Sequence, residues 1–380
     1  LYQHPFKDNV NRVHDRVLAA VMVAPKQPIE VREFRLPDLP PGAALLKTSC
    51  SEVCGTDVHL WHGRLAGVPY PIIPGHVSAG SIDAVRGELT GIDGTRIREG
   101  DRAVFFDVHR TCGRCRACTV HRTPTRCAAR RVYGITDSAE EGLFGGWAQA
   151  IYLEPGVAIA KLPDAVSLDD YIGGGCGLLT AVHIAERAGI RLGDAVVVQG
   201  VGAVGLCAIA LARLAGATHI VAIGAPEARL HLAREMGADR ALDLAHTTTA
   251  ERRTAILETT HGEGADVVIE AAGSAAAIAE GLDLARVGGR YVVAGHYTDA
   301  GDSTINAHQH INRKHLEIRG CWGSEPRHFL RALSVLERHA AAIPFRKIGA
   351  RRYGLGDLNE ALADAEAMRI PKALVDPWQS

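Results

Sequence analysis

The chain has 380 residues, 47% of them hydrophobic and 22% charged, and a formal net charge of −1. That length exceeds one ordinary core, so two domains are expected, with ample apolar material to bury. Near-neutral charge gives no reason to expect nucleic acid, a charged polymer or a membrane surface as partner, and no apolar run of about 18 residues marks a membrane span.

The opening residues, LYQHPFKDNVNRVHDR, carry little periodicity and no secretory pattern, so they are expected to be an extension without function. The first third then alternates short apolar runs with turns, as in AALLKTSC, SAGSIDAVRG, DRAVFFDV and WAQAIYL, which predicts an irregular, β-rich domain. It carries Cys54-Gly55-Thr56-Asp57-Val58-His59 and, some twenty residues on, the stretch PGHVSAG containing His76. Taken singly, Cys54 reads as a core cysteine and His76 as a packed imidazole.

Nine cysteines are many for a cytoplasmic chain, and four of them, Cys112, Cys115, Cys118 and Cys127, fall in one short window. In a reducing compartment such clustering points to metal before disulfide. Four thiolates at C-x2-C-x2-C-x8-C spacing can close a tetrahedron around Zn2+ and leave no open position, which makes the site structural. Arg110, Arg114, Arg116, Arg122 and Arg126 are placed to offset its negative charge. A small nucleic-acid-binding zinc module is the rival, but the loop lacks interleaved aromatic residues for stacking. Four free buried cysteines would be a third reading.

Near residue 170 the pattern changes. AVHIAERAG, DAVVVQGVGAVGLCAIALARLAGA, HIVAIGA, RLHLAREMGA, ADVVIEAAG and GGRYVVAGHY alternate buried-type strands with amphipathic helices, the rhythm of an α/β parallel sheet. Gly200-Val201-Gly202-Ala203-Val204-Gly205 follows an apolar strand and opens a helix, the context that gives a dinucleotide-binding turn its meaning. Gly200 permits the tight turn, Gly202 lets backbone approach a pyrophosphate, Gly205 allows close helix–strand packing, and the helix N-terminus favours the anion. The next strand ends in Gly224 where an acidic residue would grip the adenosine ribose, so NAD and NADP both stay open. Arg229 either pairs with a 2′-phosphate or is a solvated residue at a helix start. The tail, from FLRALSVLERHA to IPKALVDP, returns to mixed elements, as if a cofactor domain were inserted into another domain. Cys50, Cys207 and Cys321 read as packed thiols, and the polar insert HYTDAGDSTINAHQH is a candidate for shaping a cleft or a subunit contact.

Taken together, CGTDVH, PGH, the four-cysteine lobe, GCGLLTA around Cys176, GVGAVG, DVVIEAAG and KALV resemble the zinc-dependent medium-chain alcohol dehydrogenase family, from about residue 17 to the end. The resemblance implies a GroES-like β-rich catalytic domain over 1–172 with a zinc lobe at about 108–130, a Rossmann domain over 173–320, and a return to the catalytic domain over 321–380. It implies Cys54, His76 and Cys176 as ligands of a catalytic zinc, which leaves a fourth position for water or substrate. Asp57 is similar to the carboxylate that orients the ligand histidine. Thr56 resembles the hydroxyl that takes the alcohol proton, and His59 the outer end of that relay. Thr180 and Val204 match positions lining the nicotinamide, and Lys372 resembles a pyrophosphate contact.

The implied reaction is hydride transfer between an alcohol, or its aldehyde or ketone, and NAD or NADP, with two zincs per chain and a homodimer or homotetramer. One departure stands out: the family's Gly-His-Glu reads Gly75-His76-Val77 here, which predicts a zinc environment less negative by one charge. Zinc-free double-bond reduction and non-catalytic dinucleotide binding are the alternatives. The full ligand set argues against the first and the Thr56–His59 relay against the second. Trp61, Val108 and His109 are candidates for the substrate wall.

Overall fold

A computed structural model describes residues 15–379. Its spine is the strand Ala44–Val53, whose sequence ALLKTSCSEV is buried along nearly its whole length and therefore carries no polar–apolar alternation. It pairs antiparallel with Ser78–Val85 on one edge, and with Ala150–Leu153 and Lys372–Val375 on the other. These strands belong to a seven-stranded sheet that also takes in Arg102–Phe105, Ile159–Lys161 and Gly349–Tyr353. The last strand of the chain thus lies beside one of the first. Arg16 already begins the strand Arg16–Met22, so the opening stretch is not wholly an extension; residues 1–14 lie outside the described residues.

The second sheet is parallel throughout and has six strands. Its order is Arg240–Asp243, His219–Gly224, Ala195–Gln199, Ala265–Glu270, Ala285–Val293, Glu317–Gly320. Sequence order reverses between Ala195–Gln199 and Ala265–Glu270, and a crevice forms beyond the carboxyl ends of strands at such a point. A Cβ on Gly200 would stand 2.7 Å from the backbone of Ala271, and Gly200 has φ +103, so only glycine fits where the two strand ends part.

The helix Leu168–Ala188 connects the two sheets. Ser167 caps it by accepting the N–H of Asp170, and Gly189 ends it in the left-handed conformation with φ 56. Gly175 breaks its geometry with φ 45 and ψ −141. One apolar core runs from Cys50, Ala79 and Val104 of the first sheet, through Leu178 and Ile184 of this helix, to Val198 and Ile269 of the second. Each fully buried Val, Leu or Ile side chain among these contributes about 1.5–3 kcal/mol, so the two halves share their stabilisation.

Candidate active site

Three local structures converge on one point. The strand Ala44–Val53 runs into Cys54, which is the N-cap of the helix Gly55–Trp61. His76 lies in the turn before Ser78–Val85, and Cys176 follows the kink at Gly175. The Sγ atoms of Cys54 and Cys176 are 3.6 Å apart. Ligand atoms of Cys54, His76, Cys176 and Glu52 all lie within 4.8 Å of one another. Zinc–sulfur bonds of about 2.3 Å set the tetrahedral S···S edge at about 3.8 Å, so the two thiols fit one ion.

The electrostatics favour a cation. A hydrogen bond from the Cys176 thiol holds Cys54 well below the usual thiol range, with His76 acting in the same direction, while Cys176 itself is pushed up by that bond and by burial. Burial opposes a charge on His76, but the Cys54 thiolate, Glu52 and Asp57 together raise it to about 10. Asp57 Oδ2 accepts the Cys54 N–H at 2.8 Å rather than a bond from His76. Asp57 Oδ1 and His76 Nδ1 are both buried without a hydrogen-bond partner.

Two residues at this point differ from expectation. Lys372 does not border the cleft that holds the glycine turn: it is wholly buried, with Nζ 2.5 Å from Glu52 Oε2 and 3.0 Å from the Ile172 carbonyl. Glu52, with Oε1 3.5 Å from His76 Nε2, places a carboxylate beside the histidine where Val77 has none, and the Lys372 ammonium offsets its charge. Val77 packs into the shared apolar core.

A cavity of about 330 Å³ opens above the cluster. Cys54, Thr56, His59, His76, Cys176, Thr180, Gly202, Val204 and Arg229 all line it, so the proposed metal, proton-relay and cofactor residues share one cleft. Gly200 and Gly205 act behind it: a Cβ on Gly205 would overlap the Gly200 carbonyl, which is the close helix–strand approach. Gly224 faces Val201, whose Cγ2 overlaps any Cβ built there. Arg229 donates to the Ile370 carbonyl at 2.6 Å, while its Nε has no partner. His59 is half-buried, with Nδ1 3.4 Å from Thr298 Oγ1 of the polar insert and 3.5 Å from an Arg64 nitrogen. Burial, aided by Arg64, lowers its pKa.

Of the candidate wall residues, Val108 lines this cleft and Trp61 and His109 do not. His109 is clamped between Glu154 (2.6 Å) and Asp137 (3.0 Å). Cys321 is buried but also borders the cleft, as do Asp107, Arg130, Tyr297 and Trp322, none of which the sequence pattern marks. Glu270 was missed as well. Buried at the end of an apolar strand, it accepts the N–H groups of Ala272 (2.8 Å), Gly273 (2.6 Å) and Gly295 (3.0 Å) and so shapes the rim, a role signalled only by an acidic residue closing the apolar run VVI of DVVIEAAG.

Cys112, Cys115, Cys118 and Cys127 form a second donor cluster. Cys115 and Cys118 Sγ are 3.5 Å apart, and Cys127 Sγ accepts the Cys112 N–H at 3.4 Å. Backbone N–H groups of Arg114 and Cys115 lower Cys112 to about 6, as suits a thiolate ligand. Arg110 and Arg126 are engaged elsewhere, Arg110 with Glu154 and Arg126 with the Trp322 carbonyl and indole, so they are not free to offset the lobe. Thr125 binds Glu325, and these contacts tie the lobe to the cleft wall.

Comparisons with known proteins agree with this architecture. The zinc-binding dehydrogenase model matches residues 203–338, and the alcohol dehydrogenase GroES-like domain model matches residues 40–164. A 5-exo-hydroxycamphor dehydrogenase of Pseudomonas putida is 33% identical over 94% of this chain and 98% of its own length. The crystal structure of an alcohol dehydrogenase from Thermotoga maritima superposes with a TM-score of 0.91 at 34% identity, covering 95% of this chain and 99% of the other. A protein of Sinorhizobium meliloti described as a zinc-binding dehydrogenase, bound to NADP, superposes with a TM-score of 0.83 at 26% identity, covering 96% and 100%. The chain belongs to the zinc-dependent medium-chain dehydrogenase family, with a GroES-like domain and a Rossmann sheet. It is a zinc-dependent alcohol oxidoreductase that works with a nicotinamide cofactor.

Proposed function

We propose that this cleft interconverts an apolar secondary alcohol and its ketone with NAD or NADP, with Cys54, His76 and Cys176 holding the catalytic zinc. The observation that carries the reading is that these three side chains border the same cleft as Gly202 and Val204 at the N-terminus of the cofactor-domain helix. A zinc ion there supplies Lewis acidity, lowering the pKa of an alcohol hydroxyl and polarising a carbonyl. Thr56 and His59, three residues apart on one helix face, carry the hydroxyl proton outward to solvent, with Thr298 steadying His59. Thr180 and Val204 flank the nicotinamide end.

Val58, Val132, Ile135, Leu179 and Trp322 give the cleft apolar walls, which suit a ring-bearing substrate of the kind named for the Pseudomonas putida relative. At the adenosine end, Gly224 offers no carboxylate and Arg229 offers a cation, so a 2′-phosphate is accepted. Cys112, Cys115, Cys118 and Cys127 take a second, structural zinc. We further propose domain limits of 1–172, 173–320 and 321–380, and assembly as a homodimer or homotetramer.

The test is a screen of primary, cyclic secondary and polyol alcohols with both cofactors on zinc-replete protein. Cyclic secondary alcohols are expected to give the highest kcat/KM. Reduction of activated carbon–carbon double bonds with no alcohol turnover would overturn the reading.

A further inference from the structure

We propose that Glu52 is a fourth protein ligand of the cation held by Cys54, His76 and Cys176, reaching it from the side away from the cleft. The inference rests on the metal-site reading above. Cys54, His76 and Cys176 border the cleft, whereas Glu52 is wholly buried and is not part of its wall. Its Oε1 has no hydrogen-bond partner, an unfavourable state for a buried carboxylate oxygen unless a cation completes it. That oxygen lies 3.5 Å from His76 Nε2. Ligand bonds of about 2.0–2.1 Å set a tetrahedral O···N edge of roughly 3.3 Å. The Cys54–Cys176 edge of 3.6 Å fits the same polyhedron.

The surroundings hold Glu52 in that pose. Lys372 Nζ engages Oε2 at 2.5 Å, and spends its remaining protons on the carbonyls of Ile172 (3.0 Å) and Gly174 (3.4 Å). A Cβ on Gly175, the residue before Cys176, would overlap both Glu52 Oε2 and Lys372 Nζ, so the kink that aims Cys176 also leaves room for this pair. Charges balance: two thiolates and one carboxylate face one divalent cation and one ammonium. The sequence loses a carboxylate beside His76, at Val77, and the fold supplies one from the neighbouring strand. Four protein donors close a tetrahedral site. Glu52 is the donor already held by a second partner, so it is the one that yields to substrate, with Lys372 retaining it.

The test is cobalt(II) and zinc affinity by competition with a chelator, measured on wild-type, Glu52→Gln and Lys372→Met proteins that keep the metal of the four-cysteine lobe. Glu52→Gln is expected to weaken the cleft site by about 10–100-fold. Lys372→Met is expected to tighten it, since the carboxylate then loses its competing cation. A purely structural pair would weaken binding in both variants, and that result, or an unchanged Kd in Glu52→Gln, overturns the proposal. Should Glu52→Gln not fold, a crystal structure of metal-loaded wild type decides: Oε1 within about 2.3 Å of the ion supports it, and beyond about 3 Å overturns it. Wild-type protein that binds no cation at Cys54, His76 and Cys176 would instead remove the metal-site reading, and this proposal with it.

Discussion

The sulfur atoms of Cys54 and Cys176 stand 3.6 Å apart although 122 positions separate them in the chain. The sharp bend at Gly175, inside the helix Leu168–Ala188, sets Cys176 beside the end of the strand Ala44–Val53. Metal binding here therefore reports on the docking of the two halves. Cys176→Ala is expected to lower alcohol-dependent cofactor reduction by at least roughly 100-fold, while reduced-cofactor binding, followed by fluorescence, stays within about threefold of wild type. Equal turnover in the variant would remove Cys176 from the ligand set.

Cofactor choice depends on space as well as charge. Gly224→Asp alone places a Cβ into Val201, so its effect on preference is mixed with strain. In Gly224→Asp/Val201→Ala the new carboxylate can meet the ribose. The ratio of kcat/KM for NAD over NADP is then expected to rise about tenfold or more. A ratio unchanged in the double variant would show that this strand end does not govern the choice.

The relay has a pH signature. Burial and the Arg64 charge both disfavour protonated His59. Removing that charge in Arg64→Gln raises the His59 pKa, so the acid limb of kcat for alcohol oxidation should move to higher pH. His59→Gln should lower kcat about 10-fold or more and abolish that limb. A limb that does not move in Arg64→Gln would assign it to another group.

A different histidine governs acid stability. His328 stacks on His183 with ring centres 4.5 Å apart, and its Nδ1 accepts the Glu325 N–H at 2.9 Å. Burial, with His183 and Arg327, holds it down to about 4. The unfolded chain takes up this proton near pH 6.5, so its contribution is complete above that pH. It is lost as pH falls from about 6.5 towards 4 and is flat below. His328→Asn, which keeps an acceptor for Glu325, should flatten the fall of Tm across that window. An identical slope would contradict the assignment.

The four-cysteine lobe is fixed to the cleft wall through Thr125–Glu325 and Arg126–Trp322. Cys118→Ser is therefore expected to do two things: lower Tm by roughly 5–10 °C and raise the KM for a cyclic alcohol. A stability loss with an unchanged KM would confine the lobe to a local role.

The glycine turn was legible because GVGAVG follows an apolar strand and opens a helix, whereas CGTD, PGH and GGGC pointed to the three donors only through their combined resemblance to a family, since Cys54 and His76 taken singly read as packed residues. The pairing of Glu52 with Lys372 was not legible. Each is one charge near the end of an apolar strand, and only the antiparallel pairing of Lys372–Val375 with Ala44–Val53 brings them together. Tyr297, Arg130 and Trp322 enter the cleft from loops, where no periodicity records direction. Arg130 is set in place by stacking on Trp322 at 4.8 Å, a contact between segments almost two hundred residues apart in sequence.

Zinc stoichiometry tests the central claim most directly. Purified wild-type protein and Cys176→Ala, both exchanged into metal-free buffer after zinc loading, are compared by elemental analysis. Two zincs per chain in the wild type and one in the variant are expected, whereas a single zinc in both would contradict a metal centre at the floor of the cleft.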